Sequence, residues 1–414
     1  MKKQFQFFLF FCLSGVALAQ SSFSPGMELP DAPVLAKRGS HAVGVKTKTY
    51  VNPNQLDILA TKGDQEVRAD RPLTVEIWYP AEGKAGDEKI EYAEVLGQNN
   101  DPRRPVKPFS LPGLAFRDAK PKQNEGKFPL VIVSHGYTGS RYIMSYLAEH
   151  LASQGFVVVA IDHKESTFSD AAGFPSTLLN RAQDVLFVLQ AASQDAWMAG
   201  WLDANQTALV GYSMGGYGVL NAAGAGYAPG FVKLFGGLTG GNQALAKRSW
   251  ADSAFAQTID PRIKAVVAFA PWGMERGAWD TESLGKVKVP VLLVAGDKDD
   301  ISGWDKGVKA VYEGLPSASM LVYENARHNV APNAPQPITM NLDLPFDEYY
   351  RYAEPAWDQR RMNNINQHFL TAFLGVHLQK KPLTDYLNLP QKPETKEWPG
   401  FKPRTCVGLQ WWSK

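Results

Sequence analysis

Residues 208–220 read ALVGYSMGGYGVL. The apolar run Ala208–Val210 leads into Gly211-Tyr212-Ser213-Met214-Gly215-Gly216, and a helical pattern follows. A sharp strand-to-helix turn lifts the central hydroxyl to the carboxyl edge of a sheet, and small residues two positions either side relieve the crowding. The serine then sits at a helix amino terminus, where free N–H groups favour developing negative charge. A serine hydroxyl is a poor nucleophile until its geometry is fixed and a base takes its proton. Gly-x-Ser-x-Gly also arises by chance in glycine-containing chains, so the strand before it and the helix after it carry the weight.

Outward from this turn, other short apolar runs appear: PLVIVSHG (129–136), FVVVAID (156–162), IKAVVAFAP (263–271) and VPVLLVAGD (289–297). Such runs suit strands buried on both faces, as in a parallel sheet. Helix-patterned segments lie between them at 141–153, 176–193, 214–226 and 304–314, and a further amphipathic helix is expected near 357–374. Alternating strands and helices imply an α/β protein, with a mostly parallel central sheet and helices on both faces. LTVEIWYP (73–80) alternates like a half-buried antiparallel strand. The expected organisation is an irregular leader over 20–70, a main domain over 71–375 and a surface-wrapping tail over 376–414. Within the main domain, 81–127 reads as loop with little regular structure.

The whole chain has 414 residues, 43 Lys+Arg against 41 Asp+Glu, and 44% hydrophobic residues. That composition excludes a disordered or collagen-like chain. Near-neutral charge without long runs gives no sign of a nucleic-acid partner. Two cysteines rule out a disulfide scaffold and a four-cysteine zinc site. Residues 1–19, MKKQFQFFLFFCLSGVALA, combine Lys2 and Lys3, an apolar run too short to span a bilayer, and the small-residue site Ala17-Leu18-Ala19. This is the layout of a cleaved bacterial export signal, so a periplasmic or secreted protein without stable membrane insertion is expected. Cleavage would also remove Cys12 and leave Cys406 alone.

Acyl transfer needs two N–H donors aimed at the oxyanion. Met214, after the nucleophile, is one expected donor; Tyr137, in the HGYTG loop (135–139) after an earlier strand, is the other. His135 is expected to brace that loop rather than move protons. A nucleophile turn of this kind is followed in chain order by an acid and then a histidine. Of the seven histidines only His328, His368 and His377 follow Ser213. His328, in ENARHNVAP, lies in a polar loop just after the strand-like SMLVYE, where a base belongs, whereas the other two lie in or beside the terminal helix. Asp297, Asp299 and Asp300 all lie just past a buried strand, and any of them could instead be a turn residue satisfying backbone N–H groups.

With HGYTG, GYSMGG, GDKDD and ARHN in this order, the chain resembles the serine esterases of the α/β-hydrolase family over about 72–375. It is most similar to the dienelactone-hydrolase-like and platelet-activating-factor-acetylhydrolase-like group. The resemblance implies a Gly-x-x-Asp acid turn, which fits Gly296-Asp297-Lys298-Asp299 and selects Asp299. It also implies that no metal or organic cofactor is needed. Dienelactone hydrolases proper carry a cysteine nucleophile, so their lactone substrate does not transfer to a chain with Ser213.

The expected activity is hydrolysis of small ester substrates through an acyl-enzyme. A serine peptidase or acyltransferase on the same fold is an alternative, as is a non-catalytic binding protein. Trp272, in AFAPWGM, follows a strand at the same sheet edge and is a candidate wall of the acyl pocket. His163 is a candidate contact for an anionic group, beside Lys164. The Gly- and aromatic-rich insert 227–262 is a candidate lid.

Overall fold

The five apolar runs form the centre of an eleven-stranded sheet. The computed structural model describes residues 24–63, 65–83, 89–123, 125–393 and 397–414, so the export-signal reading of 1–19 falls outside the described residues. The strands are β1 (Ala42–Leu56), β2 (Arg68–Ala81), β3 (Lys89–Leu96), β4 (Lys107–Arg117), β5 (Phe128–Ser134), β6 (Val157–Asp162), β7 (Leu202–Tyr212), β8 (Ile263–Phe269), β9 (Val291–Gly296), β10 (Ala318–Tyr323) and β11 (Leu409–Ser413). They lie in the order β11-β10-β9-β8-β7-β5-β6-β2-β1-β4-β3. From β10 to β6 every neighbouring pair is parallel. The antiparallel pairs lie outside that block, with β11 on β10, β2 on β6, β1 on β2 and β3 on β4.

Successive side chains of a strand point to opposite faces. Leu130 and Ile132 of β5 enter one core with Leu209 of β7, whereas Val131 and Val133 enter the other with Ala208 and Val210. Both faces are therefore dry, which explains why these strands read as continuous apolar runs. The helices are α1 (Ser145–Ser153), α2 (Phe174–Gln194), α3 (Met214–Ala222), α4 (Pro229–Leu238), α5 (Thr281–Leu284), α6 (Lys309–Gly314), α7 (Phe346–Tyr350) and α8 (Gln359–Gln379). Val185 and Leu189 of α2 and Val219 and Leu220 of α3 cover one face. Leu147 and Leu151 of α1 and Phe369 and Phe373 of α8 cover the other.

Three expectations are corrected. Residues 20–70 are not an irregular leader throughout, because 42–56 form β1, whose register with β2 runs from Ala42↔Ala81 to Leu56↔Arg68. Residues 81–127 hold β3 and β4, which extend the sheet instead of looping over it. The tail is not merely wrapped on the surface: β11 pairs with β10, and Trp398 and Trp411 are buried in the core. Strand β2 also departs from half-burial. Both its faces are covered from Leu73 to Ala81, and its polar Glu76 is fully buried against Arg117, Arg141, Tyr142 and Thr47. A buried carboxylate is tolerated when cations and hydroxyls surround it in this way.

Candidate active site

The turn after β7 is tight because its glycines leave no room for anything larger. A Cβ on Gly215 would lie 1.9 Å from the Ser134 carbonyl oxygen, and one on Gly211 would lie 2.3 Å from that of Gly215. Between them Ser213 adopts φ 53° and ψ −113°, a region that a residue with a Cβ rarely enters. Such strain costs of the order of 1–3 kcal/mol and persists only where the surroundings hold it. Here the Ser213 N–H donates to the Phe269 carbonyl at 2.9 Å, and its own carbonyl accepts from Trp272 and Tyr217, both at 3.1 Å. The hydroxyl thus stands at the mouth of the sheet, ahead of α3.

The loops after β9 and β10 meet it there. His328 Nε2 lies 2.9 Å from Ser213 Oγ. His328 Nδ1 lies 3.0 Å from each carboxylate oxygen of Asp299. Asp299 is itself held from behind, since its Oδ1 accepts the Ile301 and Ser302 N–H groups, both at 2.9 Å. The two neighbouring aspartates are occupied elsewhere. Asp297 Oδ1 accepts the Asn325 N–H at 2.7 Å, and Asp300 pairs with Arg327. Ser213, His328 and Asp299 are all buried, and Ser213 and His328 line a cleft of about 320 Å³. His368 lies buried among Phe369, Tyr386 and Phe401, and His377 packs against Phe373, both apart from this cleft.

Tyr137 lines the cleft together with Gly136 and Thr138. Among the described residues, no acceptor takes the backbone N–H of Tyr137 or of Met214. Two N–H donors are thus left beside the hydroxyl. Beneath the loop, Arg181 donates to the His135 carbonyl at 2.7 Å, and His135 Nε2 accepts the His163 N–H at 3.2 Å. His135 lies 2.6 Å through Nδ1 from the Gly136 carbonyl, so it is tied to the loop that carries Tyr137. Burial, followed by Arg181 and then His163, pushes its pKa well below the ordinary imidazole value. A neutral ring of fixed orientation is what a brace requires.

His163 does not reach the cleft. It is 1% exposed, with Nε2 at 2.8 Å from Ser134 Oγ and Nδ1 at 2.9 Å from Asp184. Burial is the main cause that lowers its pKa to about 3. Burial acts to raise the pKa of Asp184, but the bidentate Arg71 and the His163 bond hold it down at about 2. This second Ser–His–Asp row is closed to any cavity and buttresses β5 and β6. The expectation that His163 touches an anion fails because its alternating position on the strand end faces inward.

Trp272 follows β8 and donates its N–H to the Ser213 carbonyl. Its ring completes an edge-to-face row, Tyr137–Phe174–Trp272, with centroids 5.3 and 5.5 Å apart. The insert 227–262 supplies no lining residue of the cleft. Phe231 and Phe235 turn inward to the core, and Trp250 donates to Asp280 at 3.1 Å. It is a flank and not a lid. The cleft's outer wall is instead made by Gln98 and Arg104 before β4, and by Asp347, Tyr350 and Arg351 in and beside α7. Asn329 is also unforeseen. It joins Tyr212 Oη, at 2.9 Å, to the Tyr350 and Ala353 carbonyls, so the histidine loop is fastened to this wall. No single-sequence pattern marks these residues, since their meaning lies in contacts across the chain.

Residues 119–227 match the profile of a family described as PETase: PET hydrolase-like. The chain is 28% identical to Cutinase est1 of Thermobifida alba, over 51% of this chain and 57% of that protein. It is 27% identical to Cutinase cut1 of Thermobifida fusca, over 53% and 54% respectively. It is 26% identical to a bis(hydroxyethyl) terephthalate hydrolase of Streptomyces coelicolor, over 50% and 52%. The chain thus spans little more than half the length of these curated relatives. Among solved structures it is similar to a ferulic acid esterase from Streptomyces cinnamoneus, with a TM-score of 0.56 and 17% identity, over 85% of this chain and 94% of that one. That likeness concerns the fold, which agrees with the parallel sheet and nucleophile turn described above. The chain has the α/β-hydrolase fold, and its residues 119–227, which contain the turn at Ser213, are similar to the PET hydrolase-like family.

Proposed function

We propose that the protein hydrolyses carboxylic esters through an acyl-enzyme formed on Ser213. The observation that carries this reading is the continuous row Ser213 Oγ–His328 Nε2–His328 Nδ1–Asp299, with spacings of 2.9 and 3.0 Å at the edge of a cleft. His328 takes the Ser213 proton as the oxygen attacks the ester carbonyl, and Asp299 holds the imidazole in the tautomer whose Nε2 is free to accept. The N–H groups of Tyr137 and Met214 receive the oxyanion as the tetrahedral centre forms. His328 then gives its proton to the leaving alcohol. Water, deprotonated by the same nitrogen, attacks the acyl-enzyme and restores the serine. Tyr137 and Phe168, which line the cleft, offer aromatic surface to the acyl group, whereas Trp272 is not among the lining residues and stands behind Tyr137 and Phe174. The relatives named as cutinases and a terephthalate-ester hydrolase support an ester as substrate. The signal-like residues 1–19 support action outside the cytoplasm.

The direct test is release of p-nitrophenol from short p-nitrophenyl esters, with Ser213→Ala as the comparison. A drop of at least about a thousandfold in kcat/KM is expected, together with fluorophosphonate labelling of Ser213 in the unaltered protein. Turnover that survives the substitution, or folded protein that resists the label, would remove Ser213 from the chemistry.

A further inference from the structure

The outer wall of the cleft holds two arginines, Arg104 and Arg351, with Asp347 on its rim and the buried Glu348 behind them. Arg104 and Arg351 both line the cavity that contains Ser213 and His328. They share one carboxylate, Glu348, whose Oε1 accepts Arg104 Nε and whose Oε2 pairs with Arg351, both at 2.8 Å. The Glu348 side chain is only 2% exposed, and Oε2 also accepts the Gly97 N–H at 2.8 Å. Arg351 donates through its two terminal nitrogens to the Val95 and Gly97 carbonyls, its buried Nε meets no hydrogen-bond partner among the described residues, and its guanidinium lies 4.0 Å above the Phe168 ring.

Arg104 differs from it. Only its Nε is engaged, and its two terminal nitrogens meet no acceptor among the described residues. The side chain is 15% exposed, at the cleft. Its aim is fixed by the buried carboxylate behind it, which distinguishes it from a surface arginine such as Arg103, 87% exposed beside Asp101. The other acids near this wall are Asp347, exposed on the rim, Asp101, which pairs with Arg103, and Glu94, buried behind it with Ser140 and Val95 donating to it. Asp347 is screened by water, so the strongest unfilled donor set facing the cleft is the planar end of Arg104. Such a fork matches a carboxylate bidentately.

We infer that Arg104 forms an anion subsite of the catalytic cleft, and that the preferred substrates are esters bearing a carboxylate on the acyl or alcohol arm. This rests on the proposed ester hydrolysis and narrows it to monoanionic esters such as half-esters of dicarboxylic acids. Ser213 and Arg104 line the same cleft of about 320 Å³. Glu348 keeps Arg351 and the Gly97 N–H when Arg104 is replaced, so the wall retains its fastening in the variants.

The experiment measures kcat/KM for matched pairs. p-Nitrophenyl hydrogen adipate is set against its neutral methyl ester, which tests the acyl arm. 4-Carboxybenzyl butyrate is set against benzyl butyrate, which tests the alcohol arm. In the unaltered protein at least one anionic partner should be favoured, and Arg104→Gln should lower that anionic-to-neutral ratio about tenfold, whereas Arg104→Lys should retain most of it. A ratio unmoved in both pairs, or an equal fall for anionic and neutral partners, overturns the subsite. Calorimetric binding of adipate to the Ser213→Ala protein reads the subsite without turnover. Binding that Arg104→Gln weakens, in a protein that hydrolyses no ester, would sink the proposed reaction and leave the anion site standing. Turnover of neutral esters with no anion effect would do the reverse.

Discussion

Replacing Asp299 by Asn tests the acid–base row most severely, because the two side chains have the same shape. The Asn oxygen can still accept the Ile301 and Ser302 N–H groups that now bind Oδ1 at 2.9 Å. Its amide nitrogen then faces His328 Nδ1 as a donor and forces the imidazole proton to Nε2. A protonated Nε2 cannot accept from Ser213 across the 2.9 Å contact. The substitution also deletes the charge that steadies the imidazolium. At a charge separation of about 4 Å and an effective dielectric near 20, that loss is about 4 kcal/mol. At about 1.4 kcal/mol per decade this is roughly a thousandfold, and the mis-set tautomer takes the expected fall in kcat/KM to about 10³–10⁴. Initial rates on p-nitrophenyl butyrate measure it, with circular dichroism to confirm the fold. Asp297→Asn and Asp300→Asn serve as comparisons and should change the rate by no more than a few-fold, since those carboxylates serve Asn325 and Arg327. An Asp299→Asn enzyme retaining more than about a tenth of its rate, or a collapse at Asp297 instead, would refute the assignment.

Two further predictions concern the frame. Gly215→Ala drives a methyl into the Ser134 carbonyl at 1.9 Å, so it should lower the unfolding free energy by at least about 1–3 kcal/mol in urea titration, and an unchanged midpoint would contradict the packing of the turn. The second concerns acid. His150, His163 and His368 are buried with pKa values lowered to about 3, chiefly by burial. The unfolded chain takes up these protons as pH falls below 6.5, and the native chain refuses them until about 3. Stability is therefore complete above 6.5 and is lost towards 3, each imidazole adding up to about 1.4 kcal/mol per pH unit. Glu94, raised to about 7 mainly by burial, acts in the opposite sense between 7 and 4.5, as do Asp162 and Glu354, which burial also raises, but His41, His135 and His377 are lowered too and add to the three imidazoles. Urea midpoints should fall on acidification from pH 6.5; a rise would reverse the balance.

How much of this the sequence discloses depends on what kind of constraint each part obeys. The parallel strands are legible because burial on both faces forces runs such as LVIV and FVVVA, which few other arrangements tolerate. Strand β1 escapes notice because polar residues stand on both its faces, Lys46 and Lys48 on one and Thr47 and Thr49 on the other, and because it contains Pro53, which reads as loop chemistry. Strand β11 is five residues long and gains its meaning only from its pairing with β10. Ser213 and His328 are legible as candidates because the proposed proton transfer dictates residue type and chain order, whereas only the resemblance to a Gly-x-x-Asp turn separates Asp299 from Asp297 and Asp300. Arg104, Glu348 and Arg351 are not, since a pairing between residues 244 positions apart leaves no local pattern. His163 shows the opposite error: polar residues at a strand end suggest a cleft, yet the Asp184 carboxylate draws the ring inward.

The bridge of two guanidiniums and one acid in the outer wall of the cleft joins excursions that belong to neither the parallel strands nor the turn at Ser213. Substrate range can thus be re-cut by exchanging 97–104 and 337–351 together, while the reacting atoms stay where they are. Swapping 97–104 alone would leave Glu348 paired with Arg351, whereas swapping 337–351 alone would take from Arg104 the carboxylate that aims it. The dependence between the two excursions therefore runs one way, from the acid to the arginine it orients.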